Sequence, residues 1–159
     1  ERAQEAVHDL SRLLRYVLYE SSRPVVPLEK ELDFIRNYVE LMRIRLPEHA
    51  RLTTAISSVN PDTPVAPLLF ISLIENAFKH GVSPSEKSFV SIAFRITEAD
   101  TLVCTIENSY FPKDDHDRSG SGIGLDNLRK RLNLIYPNRH ILQTERLGDR
   151  YMSQLIINL

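Results

Sequence analysis

The sequence predicts an α/β two-layer sandwich of the α+β kind: a mixed β-sheet with helices on one face, preceded by an N-terminal amphipathic helix. Three observations predict it. Apolar residues at helical spacing open the chain, paired runs of alternating apolar residues fill its second half, and a nearly all-apolar segment ending in polar residues lies between them.

From Ala3 to Leu18, Ala3, Ala6, Val7, Leu10, Leu13, Leu14, Val17 and Leu18 recur on one helix face. This helix is expected to end near Ser21 and Ser22, because the stretch from Pro24 to Pro27 removes backbone donors and restricts the preceding residues. Pro27 suits the start of a second helix through Leu28, Leu32, Ile35, Val39 and Met42 to about Leu46, which Pro47 closes. Arg51 to Ser58 reads as a strand, followed by turn residues from Asn60 to Pro64. Pro67 is then expected to open a third helix carrying Leu68, Leu69, Ile71, Leu73, Ile74, Ala77 and Phe78, buried nearly all round and terminated by Gly81. Ser88–Ile96 and Thr101–Glu107 form a predicted hairpin, and residues 109–121, with Pro112 and acids at 114, 115 and 117, a mobile loop. A fourth helix is expected from Ile123 to Tyr136. Two closing strands, Ile141–Leu147 and Tyr151–Leu159, flank a Gly148-Asp149 turn.

Composition narrows the function. The 159 residues include 26 % charged and 42 % apolar side chains, which suits a folded globular chain. A formal net charge of −1 gives no basic footprint for a phosphate backbone, so nucleic-acid binding is disfavoured. The lone Cys104 excludes an internal disulfide and lies in an apolar alternating run, as a small hydrophobe. No apolar stretch approaches the roughly 20 residues that span a bilayer, so a soluble piece without direct membrane contact is expected. Because a helical pattern is already under way at Glu1, the chain reads as excised from something longer.

Two motifs carry chemistry. Glu75-Asn76-Ala77-Phe78-Lys79-His80-Gly81 sets polar groups at the end of an apolar helix, where they cost desolvation unless something engages them. Asn76 offers a neutral amide oxygen suited to Mg²⁺, and Lys79, at i+3, is expected on the same side, near a phosphate. Taken alone, the run reads equally well as a frayed helix end. Ser119-Gly120-Ser121-Gly122-Ile123-Gly124-Leu125 runs into a helix, so backbone N–H groups at its positive end suit an anion. It is not a dinucleotide fingerprint, since Leu125 stands where a third glycine is required, and a flexible linker is its alternative reading. Gly81 to Ser88 mimics a phosphate-binding P-loop, but Glu86 replaces its second glycine and the run joins a helix to a strand.

Pro67-Leu68-Leu69-Phe70 through Glu75-Gly81, with Gly120-Ser121-Gly122-Ile123-Gly124-Leu125-Asp126-Asn127-Leu128-Arg129-Lys130-Arg131-Leu132, resembles the LytS-like histidine kinases of the GHKL ATPase superfamily. Leu10 to Tyr16, Leu28 to Leu32 and Tyr38-Val39-Glu40 resemble the same family upstream of its ATPase domain. The resemblance implies a Mg·ATP site between sheet and lid, with Asn76 as magnesium ligand and Lys79 and His80 near the phosphates. Gly120, Gly122, Ile123, Gly124 and Leu125 would shape the lid, which is the loop at 109–121. It implies residues 1–22 as the C-terminal part of a dimerisation and phosphoacceptor helical region, and 23–159 as the ATP-binding catalytic domain. The implied protein is a cytoplasmic kinase module of an inner-membrane bacterial sensor, a homodimer at full length, passing phosphate to an upstream histidine and then to a response regulator.

The chain departs from the family pattern in two places. The Pro-His-Phe acceptor motif has no counterpart; His8 lacks its flanking residues, and His49, His116 and His140 have no metal-ligand spacing. Where the superfamily puts an aspartate for the adenine amino group, this chain has Asn108, followed by Ser109-Tyr110 without the expected glycine. Its amide oxygen still accepts a hydrogen bond, at a cost on the order of 1 kcal/mol relative to a charged acceptor, so weak ATP binding is expected. Hydrolytic relatives carry a carboxylate base one turn before the metal-binding Asn. Ser72 stands there and Glu75 points elsewhere on the helix, which favours transfer to a protein histidine, with Glu75 left to orient the acceptor. The competing reading is a degenerate, non-catalytic interaction or dimerisation module.

Overall fold

The computed structural model describes residues 1–57, 60–111 and 123–159. They form two compact units, Glu1–Leu46 with Ser58–Leu68, and Pro47–Ser57 with Leu69–Leu159.

In the first unit, α1 (Arg2–Leu18) is followed by a 3-10 turn (Glu20–Ser22), β1 (Val26–Pro27), α2 (Leu28–Arg45) and β3 (Pro64–Val65). β1 pairs antiparallel with β3, Val26 opposite Val65. The first N–H groups of α2 lack intrahelical acceptors and find them in this loop: Leu28 donates to the Thr63 carbonyl at 2.8 Å and Glu29 to that of Pro61 at 2.9 Å. Leu13 and Tyr16 are the buried residues of α1, whereas Val7, Leu10, Leu14, Val17 and Leu18 stay exposed although they complete its apolar stripe. Tyr16 stacks on Phe34 at 4.7 Å between ring centroids.

The second unit is built on a five-stranded sheet ordered β2 (Ala50–Ile56), β4 (Ser88–Ile96), β5 (Thr101–Ser109), β7 (Arg150–Asn158), β6 (His140–Leu147). β2 runs parallel to β4 and the other neighbours pair antiparallel, so the sheet is mixed, as expected. The register gathers Val90, Ile92, Phe94, Leu102, Cys104, Ile106, Leu155 and Ile157 on one buried face. The opposite face is more polar; on it Gln154 donates to the Thr105 hydroxyl at 3.1 Å. That one-sided burial is what an antiparallel sheet permits. α3 (Ile71–Gly81) packs against β4 and β5, and α4 (Ile123–Ile135) against α3. Phe70 meets Phe94 edge to face at 5.1 Å, pinning the start of α3 to the sheet.

One expectation of α3 needs correcting, and another holds for a different reason. α3 does not start at Pro67 but at Ile71, because Leu68 adopts φ 61°, a left-handed conformation in which a right-handed helix cannot propagate. The Leu68 N–H is held by the Glu31 carboxylate at 3.0 Å. Gly81 is the last helical residue, but its terminating role is not a left-handed cap: the only glycine with positive φ among the described residues is Gly148, at 63° in the β6–β7 turn. The reason for a glycine at 81 lies in the site.

Candidate functional site

A cavity of about 220 Å³ opens where α3 crosses the end of β5 in the second unit. Leu73, Asn76, Ala77 and His80 line it from α3, Asn108, Tyr110 and Phe111 from β5 and its exit, Leu125 from α4, and Tyr151 and Ser153 from β7. Its walls are mainly apolar, with a few polar groups converging, the usual composition of a small-molecule site.

Register places those groups. Asn108 stands opposite Tyr151, and Ile106 opposite Ser153, so Asn108 and Ser153 are diagonal neighbours on the buried face. Asn108 is 3 % exposed and Ser153 6 %. The Asn108 Nδ2 donates to the Ser109 carbonyl at 2.8 Å. Among the described residues, nothing donates to its Oδ1, and neither the Ser153 hydroxyl nor the Asn76 amide has a hydrogen-bond partner. Polar atoms this deep carry a desolvation cost that a partner normally offsets.

Ser109 fastens the cavity's rear. Its hydroxyl accepts from the Phe89 N–H at 3.0 Å and donates to the Gly81 carbonyl, tying the end of α3 to β4 and β5. At the mouth the Tyr110 ring lies 6.2 Å from that of Tyr151, with the Arg146 guanidinium 4.3 Å above Tyr110. The Tyr110 N–H donates to the Asp149 carbonyl at 2.7 Å, so the β6–β7 turn holds the strand's exit.

The structure thus brings Asn76, His80, Asn108 and Leu125 together. It leaves Lys79 and Glu75 out of the lining: both are exposed on α3. An i+3 step on a helix is about 60° short of a full turn, enough to carry Lys79 from the wall to solvent. Gly124 lies in the first turn of α4, where an added Cβ would meet none of the described residues within 4 Å. Gly120, Gly122 and residues 112–121 of the expected lid lie outside the described residues, as does the Ile123 side chain. His49 and His140 each engage a backbone carbonyl, of Ser83 and Tyr136, at 2.7 Å. No group of three or more potential metal-ligating His, Cys, Asp or Glu occurs among the described residues. A magnesium ion held by one amide oxygen and completed by phosphates and water would need no such group, and the unpartnered Asn76 amide fits that donor set.

The histidine kinase family matches residues 1–50. The sensor protein LytS of Oceanobacillus iheyensis is 26 % identical over 170 residues, covering 99 % of this chain and 29 % of that protein. By sequence along nearly its whole length, the chain is similar to the LytS-type sensor kinases. The sensor kinase HptS of Staphylococcus aureus is 28 % identical over 150 residues, covering 94 % of this chain and 26 % of HptS. The chain therefore spans under a third of either relative. The fold agrees: the histidine kinase domain of a blue-light activated kinase from Erythrobacter litoralis superposes with a TM-score of 0.62 at 17 % identity, over 98 % of this chain and 78 % of that one. Full-length ShkA, solved with AMPPNP, gives 0.61 at 16 % identity, over 96 % of this chain and 35 % of that one.

The sequence motifs pointed to α3 and the end of β5 but missed Ser153, Tyr151 and Phe111. Ser153 had one faint signal, a hydroxyl in an otherwise apolar alternation, Ser153-Leu155-Ile157.

Proposed function

We propose that the cavity binds the base and ribose side of Mg·ATP, and that within a longer sensor kinase the γ-phosphoryl passes to a histidine upstream of Glu1 and then to a response-regulator aspartate. The observation that carries this reading is the set of three polar groups without described partners, the Asn76 amide, the Asn108 Oδ1 and the Ser153 hydroxyl, around an apolar-walled cavity at the end of β5. A cavity of about 220 Å³ suits a flat base better than a whole nucleotide.

On this reading the Asn108 Oδ1 accepts from the base, and Leu73, Ala77 and Leu125 exclude water from its faces. Asn76 directs its amide oxygen to the metal, and His80, one turn on, lies toward the phosphates. Magnesium would neutralise charge on the phosphate oxygens during transfer. Phosphoryl transfer asks the protein mainly for positioning: the β–γ bridging bond breaks, a P–N bond forms on the histidine, and ADP leaves with the electron pair. Ser72, a turn before Asn76, offers no base to activate water, which favours transfer over hydrolysis. Lys79 and Glu75, exposed outside the cavity, would act on the triphosphate or on an acceptor brought to it. α1 belongs to the dimerising helical region of 1–22, and its exposed stripe of Val7, Leu10, Leu14, Val17 and Leu18 is the surface a second copy would cover. A membrane anchor would lie elsewhere, since no described helix is long and apolar enough to cross a bilayer.

Calorimetric titration with Mg·ATP tests this, beside Asn76→Ala and a magnesium-free control. Saturable binding that needs both is expected. No binding up to millimolar ATP would transfer the assignment to a non-catalytic interaction module, the reading favoured by Asn108 and Tyr110 at positions where the family has other residues.

A further inference from the structure

We infer that Gly81 and the Ser109 carbonyl lock the Asn108 amide with its oxygen toward the cavity, so that the site selects a purine with a 6-amino group over one with a 6-oxo group. The inference rests on the nucleotide reading and adds the device that sets base choice.

An asparagine is ambivalent by itself. Its oxygen accepts from a 6-amino group; turned by 180°, its NH₂ would donate to a 6-oxo group equally well. The surroundings of Asn108 remove the choice. Its Nδ2 lies 2.8 Å from the Ser109 carbonyl oxygen. In the turned amide two oxygens would face each other at that distance, and a buried carbonyl would lose its donor. The donor is thus committed to the backbone, and the acceptor is what remains for a ligand.

Gly81 closes the other side. A Cβ built on it would stand 2.6 Å from the Asn108 Cβ, 3.0 Å from Nδ2 and 3.1 Å from Cγ. The helix backbone therefore lies close against the Asn108 side chain, an approach that a Cβ at position 81 would block. The Ser109 hydroxyl, donating to the Gly81 carbonyl, holds the helix end in that position. The residue that looked like a helix stop is a clamp on the base-reading side chain, and Gly81 is a positioning residue acting through Asn108.

The test compares Mg·ATP with Mg·ITP, which differ at the purine 6-position, by titration of the wild type, Asn108→Ala and Gly81→Ala. The wild type is expected to prefer ATP by about tenfold or more, since the 6-oxo group would meet an acceptor instead of a donor. In Asn108→Ala and Gly81→Ala the ratio is expected to fall toward one, a change that loss of stability alone would not produce. Equal wild-type affinities would overturn the inference while leaving the nucleotide reading intact, as would a ratio that survives Asn108→Ala. Binding of neither nucleotide would overturn both. Should Gly81→Ala not fold, the clamp is read in the wild type by NMR: the Asn108 Nδ2 protons are expected to exchange slowly with solvent and to show NOEs to the Gly81 Hα protons, and rapid exchange or the absence of those NOEs would overturn it.

Discussion

Each unit of this chain buries a polar cluster, and the two clusters are finished differently. In the first unit Glu31 is 0 % exposed, yet its Oε2 accepts from the Tyr16 hydroxyl and its Oε1 from the Leu68 N–H at 3.0 Å. In the second, Asn108 and Ser153 are almost as deep, and an acceptor and a hydroxyl are left without described partners beside a cavity. The desolvation cost is of the same kind in both. Where the chain supplies the partners the polar group organises structure: Glu31 ties α1 to α2 and holds Leu68 at positive φ. Where it withholds them, the group is arranged for a ligand.

The largest expected effect breaks the completed cluster. Glu31→Ala removes the acceptor of two buried donors and leaves a void, and should cost about 3 kcal/mol or more in urea unfolding with an unchanged slope against denaturant. Glu31→Gln keeps one acceptor oxygen and should cost less than half as much. If both variants unfold at the wild-type midpoint, Glu31 is not the organising group of that unit.

What the sequence revealed divides along the same line. α1, α2 and the β4–β5 and β6–β7 hairpins were legible because their periodicity and turn residues are local. The start of α3 was not, since the left-handed Leu68 is held by a carboxylate 37 positions earlier and no local rule sees it. Asn76 stood out as a polar residue at the end of an apolar helix, and Asn108 as a departure from a family pattern. Ser153 and Tyr151 read as ordinary strand residues, because only the β5–β7 register brings them to the cavity. Gly81 was noticed as a helix stop, a local inference that α3 bears out, whereas its approach to Asn108 joins two elements 27 residues apart in sequence and could not be read locally.

Alkaline pH gives an intermediate effect that includes the first cluster. Burial, then the charge and hydrogen bond of Glu31, push the Tyr16 hydroxyl well above its ordinary value of 10.0. The unfolded chain loses this proton from about pH 10 upward while the folded chain keeps it. The contribution is therefore fully present below pH 10 and is lost as pH rises beyond it, by at most about 1.4 kcal/mol per pH unit from this one group. Burial raises the Cys104 thiol above 9.0 in the same way, so its share of the decline begins earlier. Tyr16→Phe should remove the tyrosine share: its stability deficit against wild type, measured by urea unfolding, should shrink between pH 9 and pH 11. A constant deficit would place the alkaline loss elsewhere.

The smallest effect sharpens the contrast. Ser153→Ala deletes a hydroxyl that has no described partner, so stability should change by no more than about 0.5 kcal/mol, and a small gain is consistent with losing an unpaired polar group. If that hydroxyl is completed by the nucleotide, Mg·ATP affinity should fall by about two- to tenfold, the worth of one neutral hydrogen bond. Tyr16→Phe should show the opposite pair, a stability loss with affinity unchanged. The two residues are equally buried at 6 % exposure, so differing outcomes would trace to whether the chain or the ligand supplies the hydroxyl's partner. A stability loss in Ser153→Ala with no change in affinity would mean that Ser153 belongs with the completed cluster's logic, leaving Asn76 and Asn108 to carry the site.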